Sequence, residues 1–152
     1  TNEIAAQESK KDEKLQNFRE VKALIESGAY QFTGKWAYPQ RGGQIDLTTR
    51  DNFLRVNGKK VSADMPYFGQ LTGGNAGYGG AGGGIVFDAE LEDLSIKTNE
   101  KKNRLTISFK GKSSTESFNC IFTMSSKSSV SLSITSNYRQ TIRYLGSIKP
   151  IE

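Results

Sequence analysis

From Tyr30 to Ile148 apolar side chains recur at every second residue, in short runs broken by turn residues, and no helical spacing interrupts them. Alternation of this kind gives a strand one apolar and one polar face. Tyr30, Phe32, Trp36 and Tyr38 form the first such face, which stops at Pro39 and the Arg41-Gly42-Gly43 turn. Ile45 and Leu47, then Leu54 and Val56, then Val61, Ala63 and Met65 carry the pattern on to Pro66. Between the last two runs, Asn57-Gly58 has the positive-φ tolerance that a two-residue type I′ hairpin turn demands. Ile85, Phe87, Ala89 and Leu91 resume the alternation, and a phase slip near Asp93, before Leu94 and Ile96, predicts a bulge or break. Four more runs follow, around Ile107, Phe122, Leu132 and Tyr144. Nine or ten short strands with only turns between them must pair antiparallel. A buried face on each suits an up-and-down β-barrel or a two-sheet sandwich, and hairpin-to-hairpin order favours the barrel.

Before the strands, residues 3–27 lack glycine and proline and carry Leu15, Phe18, Val21 and Ile25 at steps of three and four. They read as a helix stopped by Gly28, with Glu8, Asp12, Glu20, Leu24 and the KKDEK run on the outer side. The chain therefore divides into a helix over 1–28, preceded by a tether or frayed end, and a single antiparallel β domain over 29–152. The class is mainly β, with the helix packed on the sheet.

Composition removes several chemistries. There is no histidine, so the commonest general base and zinc ligand are missing, as is every Ser-His or Cys-His nucleophile pair. The lone Cys120 has no partner for an internal disulfide and sits on an apolar face as a small hydrophobe. No run approaches the roughly 18 apolar residues of a membrane span. The chain begins at Thr1, as expected once a targeting peptide has been removed. The net charge of +5 is uneven: residues 97–149 hold ten basic residues and, as acids, only Glu100 and Glu116. Such an imbalance favours anionic partners, among them acidic glycans and lipid headgroups.

Residues 69–84 contain nine glycines in sixteen positions. Each concedes about 0.4 to 1 kcal/mol of unfolded-chain entropy relative to alanine, so ordering all nine costs roughly 4 to 9 kcal/mol. Either the stretch is a flap or its bare backbone is required. A phosphate loop would need a following lysine and a helix, whereas Gly84 opens a strand. Tyr67, Phe68 and Tyr78, with the N–H groups of Gly79 and Gly80, are the candidate ligand or partner contacts; Tyr67 and Phe68 serve equally as a plug for the barrel end.

Asp88, Glu90 and Glu92 project from one strand face about 7 Å apart, the separation that glycoside hydrolysis uses between two carboxyl groups. Catalytic pairs usually come from different strands, and alternating acids are the ordinary look of an exposed face. No catalytic residue, metal ligand or cofactor is therefore assigned. Lys97, Lys101, Lys102, Arg104, Lys110 and Lys112 cluster about one hairpin without the interleaved aromatics of a single-strand nucleic-acid platform. No nucleic-acid partner is expected.

Two stretches carry a resemblance. Pro66 to Gly69 (PYFG) with Gly82 to Ala89 (GGGIVFDA), and Ser136 to Ile148 (SNYRQTIRYLGSI), closely resemble the bacterial envelope family known as domain of unknown function 4251. The resemblance spans Tyr30 to Ile148 and rests on Pro66, Tyr67, Phe68, Gly69, Gly84, Ile85, Phe87, Arg139, Ile142, Tyr144 and Gly146. It implies a small β-rich protein of Gram-negative bacteria, exported to the periplasm or outer membrane and in many members lipid-anchored, with no assigned activity. The expected role is a non-catalytic binding or scaffold domain whose glycine-rich flap meets a glycan, a lipid or an envelope protein. Two rivals stay open: a glycan hydrolase using Asp88 with Glu90 or Glu92, and an assembly or inhibitor protein that pairs through an edge strand.

Overall fold

The structure, a computed structural model, describes residues 2–40, 42–67, 84–113, 116–137 and 139–151. Among them are one helix, α1 (Asn2–Glu26), and ten strands: β1 (Ala29–Pro39), β2 (Ile45–Asp46), β3 (Phe53–Asn57), β4 (Lys60–Met65), β5 (Ile85–Glu90), β6 (Glu92–Asn99), β7 (Arg104–Lys112), β8 (Ser117–Ser126), β9 (Ser129–Ser136) and β10 (Ile142–Pro150). All pair antiparallel in one sheet of order β5-β4-β3-β1-β10-β9-β8-β7-β6, with the short β2 added to β1.

The two ends of that sheet, β5 and β6, are consecutive in the chain with only Leu91 between them. One bent stretch thus pairs with β4 through its first half and with β7 through its second, and the sheet curls into a nearly closed meander barrel. Side chains pack across the seam: Phe87 of β5 stacks on Phe118 of β8 at 4.7 Å, and its ring lies where a Cβ on Gly111 of β7 would be, 2.7 Å away.

Inside the barrel Phe32, Leu54, Leu105, Ile107, Phe109, Phe118, Cys120, Phe122, Leu132 and Tyr144 are buried. Phe122 meets Phe32 edge-on at 5.5 Å and Tyr30 at 6.3 Å. Burial pushes the Cys120 thiol and the Tyr30 phenol each up to about 12, because an ionised form would lose its hydration. Cys120 is the small buried hydrophobe its apolar face predicts.

α1 packs against β8 and β1 and delivers Phe18, Val21 and Ile25 to the core. Leu24, expected on the outer side, is buried as well: it stands three residues after Val21 and next to Ile25, inside the same stripe. Leu15 and Phe18 border the β6–β7 turn at Glu100 and Asn103, and Glu20 reaches Lys127 in the β8–β9 turn at 3.6 Å. Gly28 ends the helix at φ 75°, and its carbonyl accepts the N–H of Gly58 at 2.8 Å.

Two local expectations change. Asn57 pairs with Lys60, so the hairpin loop is Gly58-Lys59, with positive φ at Gly58 (65°) and at neither Asn57 nor Lys59. Positive φ at the first central residue alone is the habit of a type II′ turn rather than type I′. Trp36 and Tyr38 also leave the face of Tyr30 and Phe32: a bulge between Gly34 and Trp36 shifts the alternation by one, and Ala37 and Pro39 turn inward instead. The slip near Asp93 is a bulge between Glu92 and Ser95, with Asp93 at φ 53°.

Candidate functional site

Two places gather unusual side chains. At the barrel end where β4 stops, Pro66 and Tyr67 lead towards the glycine-rich stretch. The Tyr144 hydroxyl donates to the Pro66 carbonyl at 2.6 Å, and the Tyr67 hydroxyl donates to the Gln140 carbonyl at 3.2 Å. Arg139 lies over the Tyr67 ring at 4.9 Å and gives its Nε–H to the Glu116 carboxylate at 2.8 Å, and the Ser136 hydroxyl donates to the same oxygen. The ion pair is nearly sealed, with side chains 12% and 11% exposed. Burial raises the Tyr67 phenol, opposed by its bond to Gln140 and by the Arg139 charge, and burial raises Tyr144 further.

Tyr67 is thus buried as a plug, tied by its ring and its hydroxyl. Of the other expected contacts, Phe68, Tyr78, Gly79 and Gly80 lie outside the described residues, as does Gly69. Pro66, Arg139 and Tyr144 come together in this network although more than seventy residues separate Pro66 from the other two. Gly84 belongs beside it, since a Cβ there would stand 2.9 Å from the Met65 carbonyl oxygen.

The second place is on the outer wall. Where β1 bulges, Gly34 pairs with Gly146 and Trp36 with Leu145, which leaves Lys35 as the extra residue. Gly34 loses its β3 partner at that point, and Asn52 supplies the missing bonds. Its Oδ1 accepts the Gly34 N–H at 2.7 Å and its Nδ2 donates to the Gly34 carbonyl at 3.1 Å. Asn52, 5% exposed, is the one buried side chain of a polar or charged residue among the described residues. Gly146 is required by the same contact: a Cβ there would sit 2.0 Å from the Thr33 carbonyl oxygen and 2.8 Å from Gly34 Cα.

The bulge turns Trp36 outward, 36% exposed, into a cleft of about 340 Å³ bordered by Lys35, Arg104, Leu145 and the hydroxyl side chains of β8 and β9. The alternation predicts Trp36 on the apolar face, Lys35 on the polar one, and Asn52 in a turn with Asp51. Gly34, an isolated glycine in the middle of an aromatic strand, was the available signal, because such a glycine marks a bulge or a close backbone approach.

Asp88, Glu90 and Glu92 are exposed along β5 and the start of β6, and Glu92 pairs with Lys112 at 3.7 Å. Among the described residues, no group of three or more Asp, Glu, Cys or His is placed to hold a metal ion. Of the basic cluster, Lys110 meets Asp93 at 3.5 Å. Arg143 lies over the Tyr38 ring at 4.9 Å.

The family model described as Domain of unknown function (DUF4251) matches residues 12–148, reaching back into α1 beyond the motifs that carry the resemblance. Among solved structures, the crystal structure of a DUF4251 family protein from Bacteroides eggerthii DSM 20697 is similar, with a TM-score of 0.69 and 19% identity over 88% of this chain and 87% of that one. A likeness at that identity speaks for the fold alone. No curated protein matches.

Proposed function

Since the chain belongs to the DUF4251 family, whose function is unknown, we propose that it is a non-catalytic, exported protein of the bacterial envelope, a binding or scaffold domain that works through the outside of its barrel. The observation that carries this reading is the filled interior. Phe32, Phe109, Phe118, Phe122 and Tyr144 occupy the space that a ligand-enclosing barrel of this size leaves open, so recognition falls to the outer wall and the rims. Export rests on the resemblance to an envelope family. The non-catalytic reading is supported by the setting of Asp88, Glu90 and Glu92, which are exposed on one continuous stretch of β5 and β6 rather than contributed by different parts of the sheet.

The test is amide exchange over the whole barrel, alone and with cell-wall fragments, acidic and neutral oligosaccharides and anionic lipid vesicles, beside fractionation of the encoding bacterium. Protection of outer-wall strands by one additive, with the protein in the envelope fraction, supports the reading. Cytoplasmic location, hydrolysis of a sugar that Asp88→Asn abolishes, or no protection by any additive overturns it.

A second reading, partner capture by strand addition, is favoured by β6. Among the described residues this strand ends the sheet, pairs only with β7 and leaves Leu94 and Ile96 exposed at 50% and 44%. Rapid exchange of the β6 amides on the unpaired edge is expected; slow exchange in the isolated chain would mean that the edge is already covered.

A further inference from the structure

We propose that the cleft beside Trp36 binds an acidic saccharide, one sugar ring lying on the indole with its carboxylate or sulfate held by Lys35 and Arg104. The inference rests on the surface-binding reading above and gives that surface a site and a ligand class.

Trp36 first. With regular alternation it would share the inner face with Tyr30 and Phe32, where a large apolar ring is ordinarily buried. The bulge at Lys35 brings it outside, and two features that are costly elsewhere hold the bulge: an asparagine buried in the barrel wall and a glycine at 146 that leaves no room for a Cβ. Bulges that re-aim a single side chain are characteristic of binding and active sites.

The surroundings then define what the indole can meet. The outer-face row running across the sheet from Trp36 is Leu145, Ser131, Thr123, Thr106 and Lys97, by successive cross-strand pairs. Ser131 and Thr123 are too short to cover the ring, so the cleft keeps an aromatic wall over a floor of hydroxyls. Five serine and threonine side chains line it in all. An indole offers an apolar face to the C–H side of a pyranose, and hydroxyls both donate to and accept from sugar hydroxyls.

Charge sets the sign of the ligand. Lys35 and Arg104 border the cleft, no carboxylate does, and neither cation forms an ion pair among the described residues. Two free cations beside hydroxyls suit a carboxylate or sulfate, which an arginine grips through two parallel N–H donors. A nucleic-acid strand would call for successive stacking rings, and here one aromatic side chain stands alone above hydroxyls.

Trp36 is the chain's sole tryptophan, so its emission reports the cleft directly. The intact chain is titrated with hexagalacturonate, a chondroitin sulfate hexasaccharide, neutral maltohexaose, sodium sulfate and an oligothymidylate. A saturable change with one of the acidic sugars is expected, at least about tenfold tighter than with maltohexaose. Arg104→Ala and Lys35→Ala should each weaken it about tenfold, the scale of one charge-assisted hydrogen bond. Calorimetry with Trp36→Ala should show a similar loss while the melting temperature stays within a few degrees of the parent. No saturable change, equal binding of maltohexaose, the same change with sulfate alone, tighter binding of oligothymidylate, or unaltered binding by a folded Trp36→Ala would each overturn the proposal. Amide protection by an acidic sugar elsewhere on the barrel, with Trp36 emission unmoved, would remove this cleft and leave the surface reading standing.

Discussion

Of the three places where strand register slips among the described residues, at Gly34/Trp36, Glu92/Ser95 and Met124/Ser126, the bulges in β1 and at Asp93 have opposite surroundings. The one in β1 lies inside the sheet, on β10 and just past the end of the β3 pairing, where Gly34 is buried. It is held by Asn52, which pairs with both polar groups of Gly34, and by Gly146, which yields to the Thr33 carbonyl. The one at Asp93 lies on the last strand, with an edge open to solvent. Asp93 adopts φ 53°, and its carboxylate meets Lys110 in an exposed ion pair. The difference follows from solvation: an unpaired N–H or C=O costs about 1 to 3 kcal/mol when buried and almost nothing when water reaches it. An irregularity inside the sheet therefore needs dedicated residues, and an irregularity at its edge does not.

The sharpest way to break this contrast is Gly146→Ala. A Cβ placed 2.0 Å from backbone oxygen cannot be absorbed by a side-chain rotation, so β1 and β10 must separate. A loss of about 3 kcal/mol or more is expected, read by urea unfolding, and an unchanged midpoint would mean that the bulge is not held as described. Asn52→Ala should follow at about 2 to 3 kcal/mol, since it strands the Gly34 N–H and C=O in the wall. It should also shift Trp36 emission, which a general loss of stability in the native baseline would not.

Alkaline titration probes the same wall by a different route. The Tyr30 phenol is held neutral up to about 12 in the folded chain and ionises near 10 once unfolded. The unfolded state thus releases its proton first, and stability, full below about pH 10, is lost as pH rises through 12. Cys120, raised from 9.0 to about 12, acts in the same direction from pH 9 upward. A falling melting temperature over pH 9 to 12 is expected, with a shallower fall in Tyr30→Phe. Equal slopes in the two proteins would show that Tyr30 ionises freely while folded.

The smallest effect belongs to the edge bulge. Asp93→Gly relieves a left-handed conformation at a solvated position and should change stability by less than about 1 kcal/mol in either direction. Destabilisation comparable to that of Asn52→Ala would erase the distinction between the two bulges.

Much of the fold was legible because each strand carries its own alternation. The inward sets from Leu105 to Phe109 and from Phe118 to Met124 needed only period two, and the helix stop at Gly28 needed only its glycine. The Asp93 slip was legible for the same reason, since the alternation visibly changes phase there. The β1 bulge was not: Tyr30, Phe32, Trp36 and Tyr38 keep a perfect even spacing, and the aromatic pattern outweighed the single glycine at 34. The candidate site was less legible still. Pro66, Arg139 and Tyr144 stood out as residues but not as neighbours, and Glu116, which locks Arg139, lies in a turn with no pattern around it.

The sequence by itself determined the class, an N-terminal helix and an antiparallel meander of nine or ten strands, because turn residues and period-two patterning act within a few residues of one another. It also determined which chemistries are missing, since an absent histidine needs no structure to establish. The tertiary structure alone decided that the sheet curls into a nearly closed barrel through the β5–β6 bend, that Tyr67 is buried, and that Trp36 faces outward over a basic, hydroxyl-lined cleft. Those outcomes depend on Gly34 meeting Asn52 and Gly146 across three strands, and on Phe87 meeting Gly111 across the seam. Contacts between residues so distant in the chain leave no period to read.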